Sequence, residues 1–159
     1  MRASDIQIAL QPITRATTAL EAARLIAADR LAALVIANEE GTPVAVVSAV
    51  DALGLLVPNY IMSDLSLSGV FSETGAEDVW NGTAQRAIAE LLDDTGVRKH
   101  ELLKVDADAT LVEIAAQMAD ERAQIALVRG TEREPRFVLL PDVMDAIITY
   151  CERVPGVGE

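Results

Sequence analysis

Residues 18–56 read TALEAARLIAADRLAALVIANEEGTPVAVVSAVDALGLL, and residues 110–148 read TLVEIAAQMADERAQIALVRGTEREPRFVLLPDVMDAII. Laid over each other at a constant offset of 92, the two stretches align without a gap. Eight pairs are identical: Thr18/Thr110, Glu21/Glu113, Ala23/Ala115, Ala27/Ala119, Arg30/Arg122, Glu40/Glu132, Pro43/Pro135 and Val46/Val138. In a chain this rich in alanine that is a small excess, and the ordered residue classes carry more weight. In each copy a Thr opens an apolar stripe at helical spacing, from Ala19 to Ala27 before Arg30 and from Leu111 to Ala119 before Arg122. Thr18 with Glu21, and Thr110 with Glu113, form T-x-x-E capping boxes.

Each predicted helix leads into a short apolar run, Ala33–Ala37 or Ile125–Val128, too short for a helix and suited to a buried strand. Polar turns follow at 38–42 and 130–134, then second apolar runs at 44–47 and 137–140, then second helices at 50–56 and 142–151. Ile13 and Val105 sit where a short leading strand belongs. The unit is therefore β-α-β-β-α, present twice, in the α/β (α+β) class. Repeat 1 is placed at 1–58, a partly helical insert at 59–95, repeat 2 at 96–152 and a frayed tail at 153–159. Within the insert, 83–92 reads as an amphipathic helix, and Phe71 and Trp80 as residues docking it on the repeats.

Composition limits the function classes. Hydrophobic residues make up 51% of the 159, which excludes disorder, and there is no uninterrupted apolar run of membrane-spanning length. Lys and Arg number 13 against 25 Asp and Glu, so the net charge is 13 − 25 = −12, with a pI near 4.4. That disfavours nucleic acid and anionic membrane surfaces as partners. Met1 is followed by mixed polar sequence with no signal-peptide layout, and Cys151 is the only cysteine. Both fit a cytoplasmic protein with no internal disulfide.

The segment Arg30-Leu31-Ala32-Ala33-Leu34-Val35-Ile36-Ala37-Asn38, then Gly41, then Val44-Ala45-Val46-Val47-Ser48-Ala49-Val50-Asp51 resembles a cystathionine-β-synthase (CBS) domain. The second copy resembles it more loosely, through Arg122, 125–128 and 137–140. The resemblance covers about two thirds of the chain and implies a stand-alone tandem pair with pseudo-two-fold symmetry. By that resemblance the module is a homodimer that regulates an effector protein, binding an adenine nucleotide or S-adenosylmethionine as a regulatory ligand and requiring no cofactor. The implied ligand-binding residues are Ser48, Asp51, Ile13, Ala33, Val35 and Val47, with Ser48 on a phosphate or ribose oxygen and Asp51 on the ribose hydroxyls.

A second reading stands beside this one. Ser48, with an acid three residues on, is also an N-cap that needs no ligand. At the offset of 92, Ser48 meets Leu140 and Asp51 meets Val143, so the second cleft reads as degenerate. A shift in the loop would instead set Asp142 against Ser48 and Asp145 against Asp51, with Pro141 as the first helical residue. No Lys or Arg lies between Leu31 and Gln85. Phosphate cations would have to come from the second half, with Arg122, Arg133 and Arg136 as candidates beside Arg98, Lys99, Lys104 and Arg129. This ranks AMP, ADP or S-adenosylmethionine above a triphosphate.

Catalysis has little to stand on. His100 is the lone histidine in a charged stretch, Cys151 reads as a small buried hydrophobe, and the two cannot make a zinc site. Asp93-Asp94 and Asp106/Asp108 read as cap or turn acids, and no metal ligands or phosphate-loop motif are present. The expectation is a non-enzymatic ligand sensor. A ligand-free dimerisation or interaction module is the alternative. Amino-acid-sensing βαββαβ units are a weaker third option, which the Ser-x-x-Asp position disfavours.

Overall fold

The computed structural model describes residues 1–93, 100–131 and 133–153. The chain begins with α1 (Ala3–Ile6) and β1 (Ile8–Ala9). The first copy follows as α2 (Ala19–Asp29), β2 (Ala33–Ala37), β3 (Pro43–Ser48) and α3 (Ala49–Leu56). The insert holds α4 (Asn59–Ser63), a 3-10 helix (Leu65–Val70), α5 (Glu73–Thr83) and α6 (Ile88–Asp93). Then come β4 (His100–Glu101) and β5 (Leu103–Val105), and the second copy closes with α7 (Leu111–Glu121), β6 (Ile125–Val128), β7 (Arg136–Leu139) and α8 (Leu140–Arg153).

Both capping boxes form. Glu21 N–H donates to Thr18 Oγ1 at 3.2 Å and Thr18 N–H to Glu21 Oε2 at 2.9 Å; the same pair at Thr110 and Glu113 measures 3.3 and 2.7 Å. These bonds satisfy donors that an open helix end leaves unpaired, so each sequence box sets where its helix starts. The helices also stop alike. Arg30 and Arg122 are the C-caps, both in the left-handed region at φ 54° and 53°.

The chain divides into two compact units, residues 12–100 and residues 1–11 with 101 onward. In the first, β2 and β3 pair antiparallel, the sheet order is β2-β3-β4, and Ile13 adds a parallel bridge to Ile36. Its core gathers Ile13, Ala22, Leu34, Ile36, Val47, Leu55, Ile88 and neighbours under α2, α3 and α6. In the second, the order is β1-β7-β6-β5, with β5 parallel to β6 and β6 antiparallel to β7. Ala3, Val105, Ile114, Met118, Ala126, Val128, Val138 and Val143 form its core. Each unit thus holds one β-α-β-β-α copy.

Several expectations change. Residues 1–11, read with repeat 1, belong with the second unit. Ala3 is fully buried in that core, and the N–H groups of Ala3 and Ser4 donate to the carbonyls of Ala109 and Ala107, both at 3.0 Å. The insert belongs with the first unit. The expected helix at 83–92 is broken: α5 ends at Thr83 and α6 starts at Ile88. The intervening backbone serves another helix, because the carbonyls of Arg86 and Ala84 accept the N–H groups of Ala19 and Leu20 at the start of α2. Phe71 and Trp80 are not docking residues, since they are 38% and 49% exposed. The closing helix is longer than 142–151 and includes Leu140, so Pro141 is its second residue. Residues 154–159 of the expected tail lie outside the described residues.

Candidate functional site

Ser48 ends β3 and caps α3. Its backbone is extended (φ −68°, ψ 150°), and its Oγ accepts the Asp51 N–H at 3.0 Å. Both side chains are half-buried. The register fixes what accompanies them: Ala33 pairs with Ser48, Leu34 with Val47 and Val35 with Val46. Since strand side chains alternate, Leu34 and Val47 turn into the helix-covered core while Ala33, Val35, Val46 and Ser48 share the opposite face. Of the expected ligand contacts, Ala33 and Val35 therefore lie on the Ser48 face. Ile13 and Val47 do not, because both are core residues, 2% and 0% exposed.

The second repeat follows a different offset here. Leu127 pairs with Phe137 and Ala126 with Val138, so β2 matches β6 at 92 but β3 matches β7 at 91 (138 − 47 = 91). Ser48 thus corresponds to Leu139 and Asp51 to Asp142, correcting both alignments weighed from the sequence. The hydroxyl is lost in the second copy and the carboxylate is kept. The turns shift as well, since the left-handed glycines are Gly41 (φ 82°) and Gly130 (φ 83°), separated by 130 − 41 = 89. The faces differ in bulk too. Where the first repeat sets Ala33, Val35 and Val46, the second sets Ile125, Leu127 and Phe137, all 3% exposed or less.

Asp142 is electrostatically uncomfortable. Its Oδ2 is buried without a hydrogen-bond partner. Burial first, and the Asp145 charge second, push its carboxyl above the usual range, opposed by a hydrogen bond from the Leu139 backbone. Glu113 moves the other way: hydrogen bonds from the Thr110 backbone and then its hydroxyl hold it below the usual range.

The candidate phosphate cations all lie in the second unit, on different features. Arg122 caps α7. Arg133 and Arg136 line one concavity with Gln7, Gly130, Thr131 and Glu134. Arg129 is bound to Asp106 at 3.0 Å, and Arg98 and Lys99 lie outside the described residues. The acids read as cap or turn residues carry ion pairs: Asp93 to Arg15 at 2.8 Å and Asp108 to Arg2 at 4.0 Å, with Asp94 outside the described residues. Cys151 is exposed rather than buried, in the last turns of α8. The His100 side chain lies outside the described residues. Among them no group of three or more His, Cys, Asp or Glu could hold a metal ion, and no helix is long and apolar enough to cross a membrane.

The sequence reading did not place two apolar grooves. One runs between α2 and α3, lined by Ala23, Ile26, Ala27, Ala49, Val50 and Leu53. The other runs between α7 and α8, lined by Leu111, Val112, Ala115, Ala116, Ile147 and Tyr150. Val50 and Val112 are 75% and 78% exposed. The apolar stripes of these helices are wider than the core needs, which was the available signal.

No family model matches the sequence, and no curated protein matches it significantly. Solved structures do. A CBS-domain-containing protein of unknown function from Kribbella flavida is 27% identical with a TM-score of 0.74, covering 93% of this chain and 99% of that one. A putative acetoin utilization protein (AcuB) from Vibrio cholerae is 16% identical with a TM-score of 0.63, covering 96% and 93%. CBSX2, solved in complex with AMP, is 16% identical with a TM-score of 0.59, covering 94% and 97%. Two β-α-β-β-α copies, each closed by its own core, together with this likeness along nearly the whole chain, show that the protein has the fold of a CBS-domain pair.

Proposed function

We propose that this CBS pair is a regulatory module that senses an adenosyl ligand at the start of α3. The observation that carries the reading is Ser48 at the end of β3, with Asp51 three residues on and the small side chains of Ala33 and Val35 on the same face. A carboxylate there can accept from two vicinal ribose hydroxyls, and the Ser48 hydroxyl, whose oxygen accepts the Asp51 N–H, still has its hydrogen to donate to an oxygen of the ligand. The complex of CBSX2 with AMP supports this class of ligand. With no Lys or Arg between Leu31 and Gln85, a polyphosphate would meet no cation from its own repeat, so AMP, ADP or S-adenosylmethionine ranks above ATP. Bulk at Ile125, Leu127 and Phe137, and the loss of the hydroxyl at Leu139, favour one site per chain, in the first repeat.

The module acts as a homodimer through its helix faces, with Val50 and Val112 in the contact. Ligand matters only by binding one dimer geometry better than another, which an effector protein then reads. Titration calorimetry tests the ligand: AMP or S-adenosylmethionine binds more tightly than ATP, and Asp51→Asn removes the binding. Tighter ATP binding, or an unchanged Asp51→Asn, overturns the assignment. A ligand-free interaction module remains the second reading, because Ser48 Oγ is already engaged by Asp51 N–H. It prevails if no adenosyl compound binds while light scattering finds a dimer that Val50→Glu or Val112→Glu dissociates.

A further inference from the structure

The insert carries apolar surface that the fold leaves open. Every residue from 62 to 74 is exposed, among them Met62, Leu65, Val70 and Phe71, with Tyr60 and Trp80 on the flanks. Val70 and Leu65 are 78% and 67% exposed. The 3-10 helix between α4 and α5 runs six residues without burying one, although such helices are uncommon beyond about four residues. Local contacts hold it in place. Asp64 Oδ1 accepts the Ser66 N–H at 3.1 Å, and a Cβ at Gly75 would touch the Phe71 ring at 3.5 Å, so that ring lies against the first turn of α5. At the far end of α5 the Thr83 hydroxyl donates to the Leu56 carbonyl at 2.8 Å, which ties the insert to α3. Apolar side chains gathered outside the core in this way mark a contact surface.

Charge says what covers it. Glu73, Glu77 and Trp80 follow one another at spacings of four and three, so they share one face of α5, and Asp78 is exposed next to Glu77. No Lys or Arg lies between Leu31 and Gln85, and none of these three acids has an ion pair among the described residues. The next cation along the chain, Arg86, is already engaged by the carbonyls of Leu55 and Val57 and by the Glu90 carboxylate. A second copy seated here about a two-fold axis would set these acids against their own counterparts, and an anionic lipid surface would repel them. A basic amphipathic helix offers apolar side chains to the first set of residues and cations to the second. We propose that the outer surface of the insert binds such a helix on a partner protein. The inference rests on the regulatory reading only in naming that partner as the effector.

Trp80 is the only tryptophan in the chain, so its emission reports on this surface. The probe is a synthetic helical peptide of lysine and leucine at amphipathic spacing, titrated into the full chain with no adenosyl compound present. It shifts the Trp80 emission to the blue, and added salt weakens the binding. Glu73→Lys with Glu77→Lys weakens it about tenfold, and so does Leu65→Ser with Val70→Ser. Glu39→Lys with Glu40→Lys makes the same change of net charge in the β2–β3 turn and leaves binding unchanged. A peptide of the same composition in scrambled order binds more weakly, and circular dichroism shows whether each variant is folded. Absence of the blue shift in the wild type, equal binding of the scrambled peptide, or equal losses in the two lysine variants overturns the proposal. A Trp80 emission that shifts with protein concentration alone overturns it in favour of a second copy. Peptide binding that persists while calorimetry finds no adenosyl ligand overturns the sensor and leaves the docking surface standing.

Discussion

Replacing Asp142 by Asn should stabilise the protein at neutral pH. Asp142 keeps the position of Asp51 but not its surroundings: Oδ2 is buried and unpartnered, and Asp145 stands one helical turn away. Asn has nearly the same shape and retains an acceptor for the Leu139 backbone, so the exchange removes charge and little else. What is removed is the cost of holding a charge there, set by burial and by the Asp145 carboxylate and discounted because the group keeps some contact with water; one pKa unit corresponds to about 1.4 kcal/mol. The expected gain is about 1 kcal/mol, or roughly 2–4 °C in Tm for a chain of this length.

The pH dependence gives the sharper test. The folded-state pKa of Asp142 lies above its ordinary value of 3.8, so the ionised form lowers stability at neutral pH. As pH falls through the folded-state value the native protein takes up the proton first and the cost fades, vanishing once the unfolded chain is protonated too. The advantage of Asp142→Asn should therefore be full at neutral pH and shrink as pH falls through the folded-state value of Asp142. Urea melts followed by circular dichroism, on the wild type and Asp142→Asn, measure it. Asp145→Asn should reproduce part of the gain. An Asn variant that is less stable at pH 8, or whose advantage stays constant with pH, refutes the reasoning.

Other expectations follow from the local geometry. Thr18→Ala and Thr110→Ala each remove a capping bond, at about 1 kcal/mol apiece in urea melts. Because the Glu113 carboxyl sits below its ordinary range, its contribution is present above pH 4.5 and is lost as pH falls through the folded-state value; Glu113→Gln should therefore matter at pH 7 and not in acid. Arg30→Gly and Arg122→Gly should raise Tm, since both arginines hold a left-handed conformation that glycine adopts freely, each gaining about 0.5–1 kcal/mol. Phe137→Ala, at a fully buried position, should cost about 3–5 kcal/mol.

The parts of the fold legible in the sequence are those with local causes. Two capping boxes, two apolar stripes and two pairs of short apolar runs place α2, α7 and the strands beside them. What the sequence could not show depends on partners distant in the chain. The helix at 83–92 is interrupted because Ala84 and Arg86 serve the start of α2, about 65 residues earlier. The small strand β1 exists because β7 offers it an edge. The change of offset from 92 to 91 arises between the paired strands, in turns whose left-handed glycines stand 89 apart and in a bulge where Ile36 pairs with Ala45 but Ala37 with Pro43, leaving Val44 over. An ungapped alignment cannot see a bulge. It therefore set Ser48 and Asp51 against Leu140 and Val143, and hid the surviving carboxylate of Asp142.

With the register corrected, the two copies differ in one direction. On the helix-covered face both carry aliphatic side chains of modest size, Leu34, Ile36 and Val47 against Ala126, Val128 and Val138. On the opposite face the first copy is small, with Ala33, Val35 and Val46, and the second is large, with Ile125, Leu127 and Phe137. Burying a larger side chain stabilises a unit by more, and it uses space that a ligand would need. The copy with the larger side chains also lacks the hydroxyl, its Ser48 counterpart being Leu139. Size and chemistry thus differ together: both faces are buried, but the first repeat covers its face with smaller side chains and keeps the hydroxyl and the carboxylate at its edge.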